Sequence, residues 1–267
     1  AGIYVDGGCD IVIERNLVSG CDVGLEVGAE NAGQTATNIT VRNNLIYRNN
    51  KVGLAFGGYD ETRGRTAFCR FLNNTLYKNG NTDAWQAEII VQWAGANDVR
   101  NNIVYVSETG NRYAVLDTAN SGNDANSFDY NLYYQDGGST NALFSWKGQI
   151  RTGFPAYQAA AGGNEAHSSF QAPVFVNAWA TNLALTAGSP AIDAGDPVSA
   201  FSAGSLDYAR RPRPINGRMD IGALEYAGSW ASAAVDAGGG WKWLSWLGYF
   251  KDGGGAWGGW IWHAEHG

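Results

Sequence analysis

Apolar positions in the first half of the chain come in short runs of β-branched and aromatic residues, bounded by Asn, Gly and Asp, and no long 3.6-residue periodicity runs through them. That is strand chemistry. The runs repeat. Arg42-Asn43-Asn44-Leu45-Ile46-Tyr47, Leu72-Asn73-Asn74-Thr75-Leu76-Tyr77, Arg100-Asn101-Asn102-Ile103-Val104-Tyr105 and Asp129-Tyr130-Asn131-Leu132-Tyr133-Tyr134 align on the last Asn, with a weaker copy at Glu14–Ser19. Asn16, Asn44, Asn74, Asn102 and Asn131 are thus spaced by 28, 30, 28 and 29 residues. A second apolar run follows each of the first four Asn: Val23–Val27, Val52–Phe56, Glu88–Val91 and Tyr113–Leu116. Several short strands per ~29-residue period predict a solenoid whose coils stack at the inter-strand spacing of ~4.8 Å.

The repeated Asn suits such a coil. It tolerates the left-handed conformation of a sharp corner, and its amide can hydrogen-bond to the same amide one coil away. Tyr47, Tyr77, Tyr105 and Tyr134, three residues past each Asn, are expected to form a parallel aromatic stack. A leucine-rich repeat lacks its dense Leu pattern here, and a propeller needs periods of ~40 residues.

These Asn-Asn-aliphatic-aliphatic-Tyr repeats, with the loop Gly57-Gly58-Tyr59-Asp60-Glu61-Thr62-Arg63-Gly64, resemble the right-handed parallel β-helix proteins of secreted bacterial type (the pectate-lyase-like superfamily) over residues 1–148. The fold class expected is therefore all-β, a right-handed parallel β-helix followed by a small β-rich module. The resemblance also implies further coils and a capping helix at the N-terminal end. Nothing near Ala1 could supply such a cap, so an open coil or a missing N-terminal part is expected there.

Residues 149–169 read as a linker with one helix at Thr152–Gly162, where Pro155 suits the first turn and Gly162 the C-terminal cap. In residues 170–227, Ser189-Pro190-Ala191-Ile192-Asp193-Ala194-Gly195 and Asp220-Ile221-Gly222-Ala223-Leu224-Glu225 resemble the choice-of-anchor module of bacterial surface proteins, which implies secretion or surface display. Short strands there are expected to cover the last coil. Residues 228–267 are Gly- and Trp-rich. Alternation at Trp241/Trp243 and Trp260/Trp262 predicts a β-hairpin or meander turning at Asp252-Gly253. The segment resembles the Trp-rich C-terminal tails of some bacterial surface proteins.

Composition narrows the partners. Only 16% of residues are charged, with 18 basic against 25 acidic for a net charge of −7 and no Lys/Arg run, which argues against nucleic acid or an anionic membrane. No apolar stretch approaches the ~18 residues of a membrane span. Cys9, Cys21 and Cys69 have no metal spacing; buried free thiols are the expected state, a Cys9–Cys21 bridge the alternative. Asp193, Asp196, Asp207 and Asp220 have the oxygen ligands that Ca2+ takes, but their spacing matches no calcium loop, and turn caps or ion pairs account for them. No metal or cofactor site is expected otherwise.

Three histidines outside the coils leave Ser-His-Asp catalysis unsupported. Folds that look like this one often act on polysaccharide, which implies two competing chemistries. Glycoside hydrolysis needs paired carboxylates. Glu26, Glu30, Asp60, Glu61 and Glu88 are candidates, and Glu26 and Glu88 would border one groove if both face outward. Lyase chemistry needs a base and a cation beside a uronate; Tyr59 and Arg63 lead that set. Arg65, Lys51, Lys78 and Trp93 are candidate sugar contacts, joined by Trp257 and Trp260 in a tail whose seven Trp also suit a packed mini-core or a self-association surface. The competing expectation is a structural surface protein without catalysis, anchored or assembled through that tail.

Overall fold

A computed structural model describes all residues except 82–85, 108–111, 121, 198–201, 216, 229–234, 245–247, 253–260 and 265–267. Residues Ala1–Glu225 form one compact unit and Tyr226–Gly267 a second. The first is a parallel β-solenoid of about four turns.

Its largest sheet stacks Ile3–Asp6, Val23–Ala29, Val52–Gly58, Ala87–Gln92, Tyr113–Asp117 and Leu143–Trp146 in that order, all parallel, and ends on the antiparallel strand Gln149–Thr152. Each coil then turns through shorter strands. In the third coil these are Arg65–Ala67, Arg70–Leu72 and Thr75–Tyr77, each paired in register with its equivalents above and below.

Three-residue strands joined by two-residue corners give a five-residue corner spacing. Phe68, Asn73 and Lys78 all have φ near +50°, as do Asn38, Asn43 and Arg48 one coil earlier. The residue after each left-handed one points inward. Asn16, Asn44, Asn74, Asn102 and Asn131 thereby form a ladder: each of the first four donates from Nδ2 to the Oδ1 of the next at 2.9–3.1 Å. The repeated pair therefore divides the work. The first Asn takes the corner and the second makes the ladder.

Two further ladders stand at the other corners. Asn49 donates to Asn79, and Asn97 to Asn126. Cys69 occupies a rung of the third, its backbone N–H donating to Asn97 Oδ1, which explains its complete burial. Cys9 is exposed and Cys21 half-buried, and all three thiols are free, so the expectation of buried thiols holds only for Cys69.

The core between the faces is a set of in-register columns, for example Leu25, Leu54, Ile89 and Val115. The helix Phe154–Ala161 closes its last coil. It lies within the predicted range and ends on left-handed Gly162. Tyr157 stacks on Phe144 at 4.3 Å, and both Tyr133 and Tyr157 donate to the buried Glu165 carboxylate.

Segment 170–225 is not the lid over the last coil that the sequence suggested. Among the described residues only Ser169–Phe170 extends that coil. The rest runs along the solenoid flank, because the outward-facing corner Asn residues offer it hydrogen bonds. Asn43 donates to Ala203 O, Asn73 to Asp220 O, and Asn101 accepts from Asp196 N–H. The two motif strings bond to one another through Asp193 N–H to Asp220 Oδ1 (2.8 Å) and Ile221 N–H to Ala191 O (2.9 Å). Glu225 holds the buried Arg213 guanidinium, which also donates to Asn43. Tyr77, Tyr105 and Tyr134 do align in register beneath this segment. Their rings meet edge to face at 4.9 Å rather than in a parallel stack, as ring quadrupoles favour.

In the second unit, Val235–Gly238, Trp241–Leu244, Gly248–Asp252 and Ile261–His263 form an antiparallel sheet in sequential order. Trp243 and Tyr249 face each other across two strands and are exposed, as is Trp262 beside Trp241 at 5.1 Å. Phe250, on the alternate face, is fully buried. Trp257 and Trp260 lie outside the described residues, as does the residue after Asp252 in the proposed turn.

Candidate functional site

The outer face of the large sheet carries a concave site of about 310 Å³, lined by Tyr4, Glu26, Glu30, Lys51, Tyr59 and Gln92 around a floor of Ala55, Gly57 and Ile90. Strand register builds it. Tyr4, Glu26, Ala55 and Ile90 occupy one row across four neighbouring strands, and Gly28, Gly57 and Gln92 lie in the row two positions on. The glycine at 57 is required by close approach: its φ is +130°, and an added Cβ would lie 1.5 Å from Gln92 O. The strand therefore passes tightly under Gln92, whose Nε2 donates to Gly58 O at 2.9 Å and holds the base of the Tyr59 loop.

Tyr4 and Tyr59 are the exposed rings of the site, 42% and 60% accessible. Tyr4 donates to Glu30 Oε1 at 3.0 Å, and Asp6 accepts the Glu30 N–H. Burial pushes the Glu26 carboxyl above its ordinary range, with Glu30 and Asp6 adding to the shift and the Ala1 amino group opposing it. Burial and the Glu30 carboxylate likewise push the Tyr4 phenol up, so it stays a donor.

The sequence candidates separate by position. Glu26 and Tyr59 line the concave site. Glu88 does not: it is fully buried and faces inward, where its two oxygens accept Asn79 N–H (2.8 Å) and Nδ2 (2.6 Å) and so end the second ladder. Burial raises its pKa to about 8 against these hydrogen bonds. It and Glu26 cannot border one groove. Asp60 is turned into its own loop, accepting from Thr62 N–H, Thr62 Oγ1 and Arg63 N–H, and those bonds hold it ionised below its usual range. Arg63 pairs with Asp60 at 3.3 Å and lies 4.5 Å above the Tyr59 ring.

Beyond that loop, Arg63, Arg65, Glu61 and Trp93 line a second, more polar depression with Gly33–Thr35. Arg65 reaches across to Gly122 O. Lys51 lines the first site but pairs with Asp22 at 2.8 Å. Lys78 lies on a different face, against Tyr77, Tyr105 and Asp136.

Tyr4 and Gln92 escaped sequence reasoning, which noted Gly57 only as the start of its loop. Aligning the second apolar runs row by row is the signal that would have brought Tyr4 and Gln92 beside Glu26. Among the described residues no group of three or more His, Cys, Asp or Glu side chains could hold a metal ion, and Asp196, Asp207 and Asp220 are engaged with Arg100, with Arg211 and Glu225, and with Asp193. Among the described residues no helix is long and apolar enough to cross a membrane.

No family model matches the chain. It is 29% identical over 192 residues to an uncharacterized protein, YwoF, of Bacillus subtilis (strain 168), a match covering 71% of this chain and 40% of that protein. The chain thus spans less than half the length of that curated relative. No solved structure matches.

Proposed function

We propose that the chain belongs to a secreted or cell-surface protein that binds polysaccharide on the outer face of its large parallel sheet, as its resemblance to pectate-lyase-like β-helices implies. One observation carries this reading: two exposed tyrosine rings flank an open depression that also offers Glu26, Glu30 and Gln92. Aromatic faces pack on the apolar faces of sugar rings, and carboxylate and amide groups bond hydroxyls. A row of equivalent positions across stacked strands suits an extended polymer. Cleavage is the stronger form of the same proposal. Glu26, whose carboxyl burial holds protonated to higher pH, would be the acid and Glu30 its partner carboxylate.

Affinity electrophoresis on a polysaccharide panel tests binding, with the Tyr4→Ala/Tyr59→Ala double variant as control. Reducing ends and absorbance near ~235 nm, where the unsaturated uronate left by elimination absorbs, separate hydrolysis from elimination. Retarded migration of the parent protein that the double variant loses supports the proposal; no retardation on any polymer removes it. The exposed Trp243, Tyr249 and Trp262 of the second unit favour an additional role for that sheet in anchoring or self-association.

A further inference from the structure

The charges around the concave site are unequally satisfied. The two cationic side chains near it are already paired, Lys51 with Asp22 at 2.8 Å and Arg63 with Asp60 at 3.3 Å. The carboxylates are not. Glu26, Glu30 and Asp6 have no cationic partner within ion-pair distance among the described residues. Glu30 and Asp6 are oriented by neutral donors, the Tyr4 hydroxyl and the Glu30 N–H, which fix their geometry and leave their charge uncompensated. Glu26 is half-buried on the sheet between them and the apolar row Ala55–Ile90, so its field reaches the depression with little solvent to damp it. The other groups lining the depression are uncharged or apolar: Tyr59, Gln92, Val52 and backbone at Gly57–Gly58.

A polyuronate laid here would bring carboxylates against carboxylates that have no ion-pair partner, with no free cationic side chain among the described residues lining the depression to receive them. A polymer bearing ammonium groups would complete the missing ion pairs while its ring faces meet Tyr4 and Tyr59. We propose that the ligand is an amino-sugar polysaccharide with free amino groups, and that Glu26, Glu30 and Asp6 are what select it. The inference rests on the polysaccharide-binding function proposed above and specifies its substrate class.

Three probes matched in length test it by calorimetry on the full chain: a glucosamine oligomer, its fully N-acetylated counterpart, and an oligogalacturonate. The amino oligomer should bind at least about tenfold tighter than the N-acetylated one, its affinity should fall as salt rises past the point where screening lengths drop to ~10 Å, and oligogalacturonate should bind weakest. Glu26→Gln and Glu30→Gln should each cut binding of the amino oligomer several-fold and narrow its margin over the N-acetylated oligomer. Both changes keep side-chain shape, and an unchanged thermal midpoint will show that the fold is intact. Equal or tighter binding of the N-acetylated or galacturonate oligomer overturns the amino-sugar inference and leaves polysaccharide binding standing. Absence of binding by all three overturns this inference and, together with a blank polymer panel, the proposed function as well.

Discussion

Removing one central rung of the main ladder should cost far more than removing its end. In Asn74→Ala, four hydrogen bonds vanish: Asn44 N–H and Nδ2 lose their acceptor (3.1 and 2.9 Å), and Val41 O and Asn102 Oδ1 lose their donor (3.0 and 3.1 Å). Asn44 Nδ2 keeps Ile13 O, and Asn102 Oδ1 keeps the Asn74 N–H. Asn44 N–H keeps nothing in the fully buried corner. At ~1 kcal/mol net per bond, with the orphaned N–H adding to the loss, the expected cost is roughly 4–6 kcal/mol. Asn16→Ala is the internal control. It loses only the bonds from Nδ2 to Asn44 Oδ1 and Glu14 O, in a half-buried site, and leaves no N–H orphaned. About 1–2 kcal/mol is expected. Urea unfolding followed by far-UV circular dichroism measures both, and hydrogen exchange at the Asn44 amide reports the orphan directly. If Asn74→Ala costs no more than Asn16→Ala, or the Asn44 amide stays as protected as before, the ladder does not hold the coils as argued.

Glu88 makes stability depend on pH in an uncommon direction. Its folded pKa of about 8 exceeds the unfolded carboxylate value of ~4.3, so the native state holds the extra proton between them and stability should fall as pH rises through that window, by up to ~1.4 kcal/mol per unit. Asp117, raised to about 6 by burial, adds a smaller loss of the same sign. Thermal midpoints measured at about pH 5 and about pH 9 should decrease, and Glu88→Gln should flatten most of that slope; a rising midpoint would contradict the placement of Glu88. Gly57→Ala should misplace the Tyr59 loop, since the new Cβ would overlap Gln92 O, and polysaccharide binding should fall even if some folded protein is recovered. Asn73→Val should cost about 2–3 kcal/mol in urea unfolding, because a β-branched residue resists φ +51° and the bond to Asp220 O is lost. Glu225→Ala, which leaves the buried Arg213 charge without its carboxylate, should cost about 3–5 kcal/mol.

The solenoid was legible in the chain because its repeating parts act within one coil and recur in the next. An Asn-Asn pair every 28–30 residues already encodes a corner and a rung, and the second apolar runs encode the strands that follow. The same five-residue corner spacing held the Asn49/Asn79 and Asn97/Asn126 ladders in plain view. What no local pattern carried was direction and neighbourhood. Glu26 and Glu88 sit in equivalent apolar runs, yet one lies on the outer face and the other turns inward to end a ladder, because Asn79 N–H and Nδ2 need acceptors and Glu88 supplies them from the next strand of the large sheet. Asp60 resembles a site carboxylate by composition and becomes a loop brace only once Thr62 and Arg63 fold back on it. The course of 170–225 along the Asn corners, rather than over the last coil, was decided by hydrogen-bonding groups that face outward only after the coils have stacked. The chain by itself determined periodicity, corners and rungs, since these follow from a short local pattern that recurs every 28–30 residues. The tertiary structure alone decided which carboxylates remain unpaired in the concave site, since charge compensation depends on groups brought together from different coils.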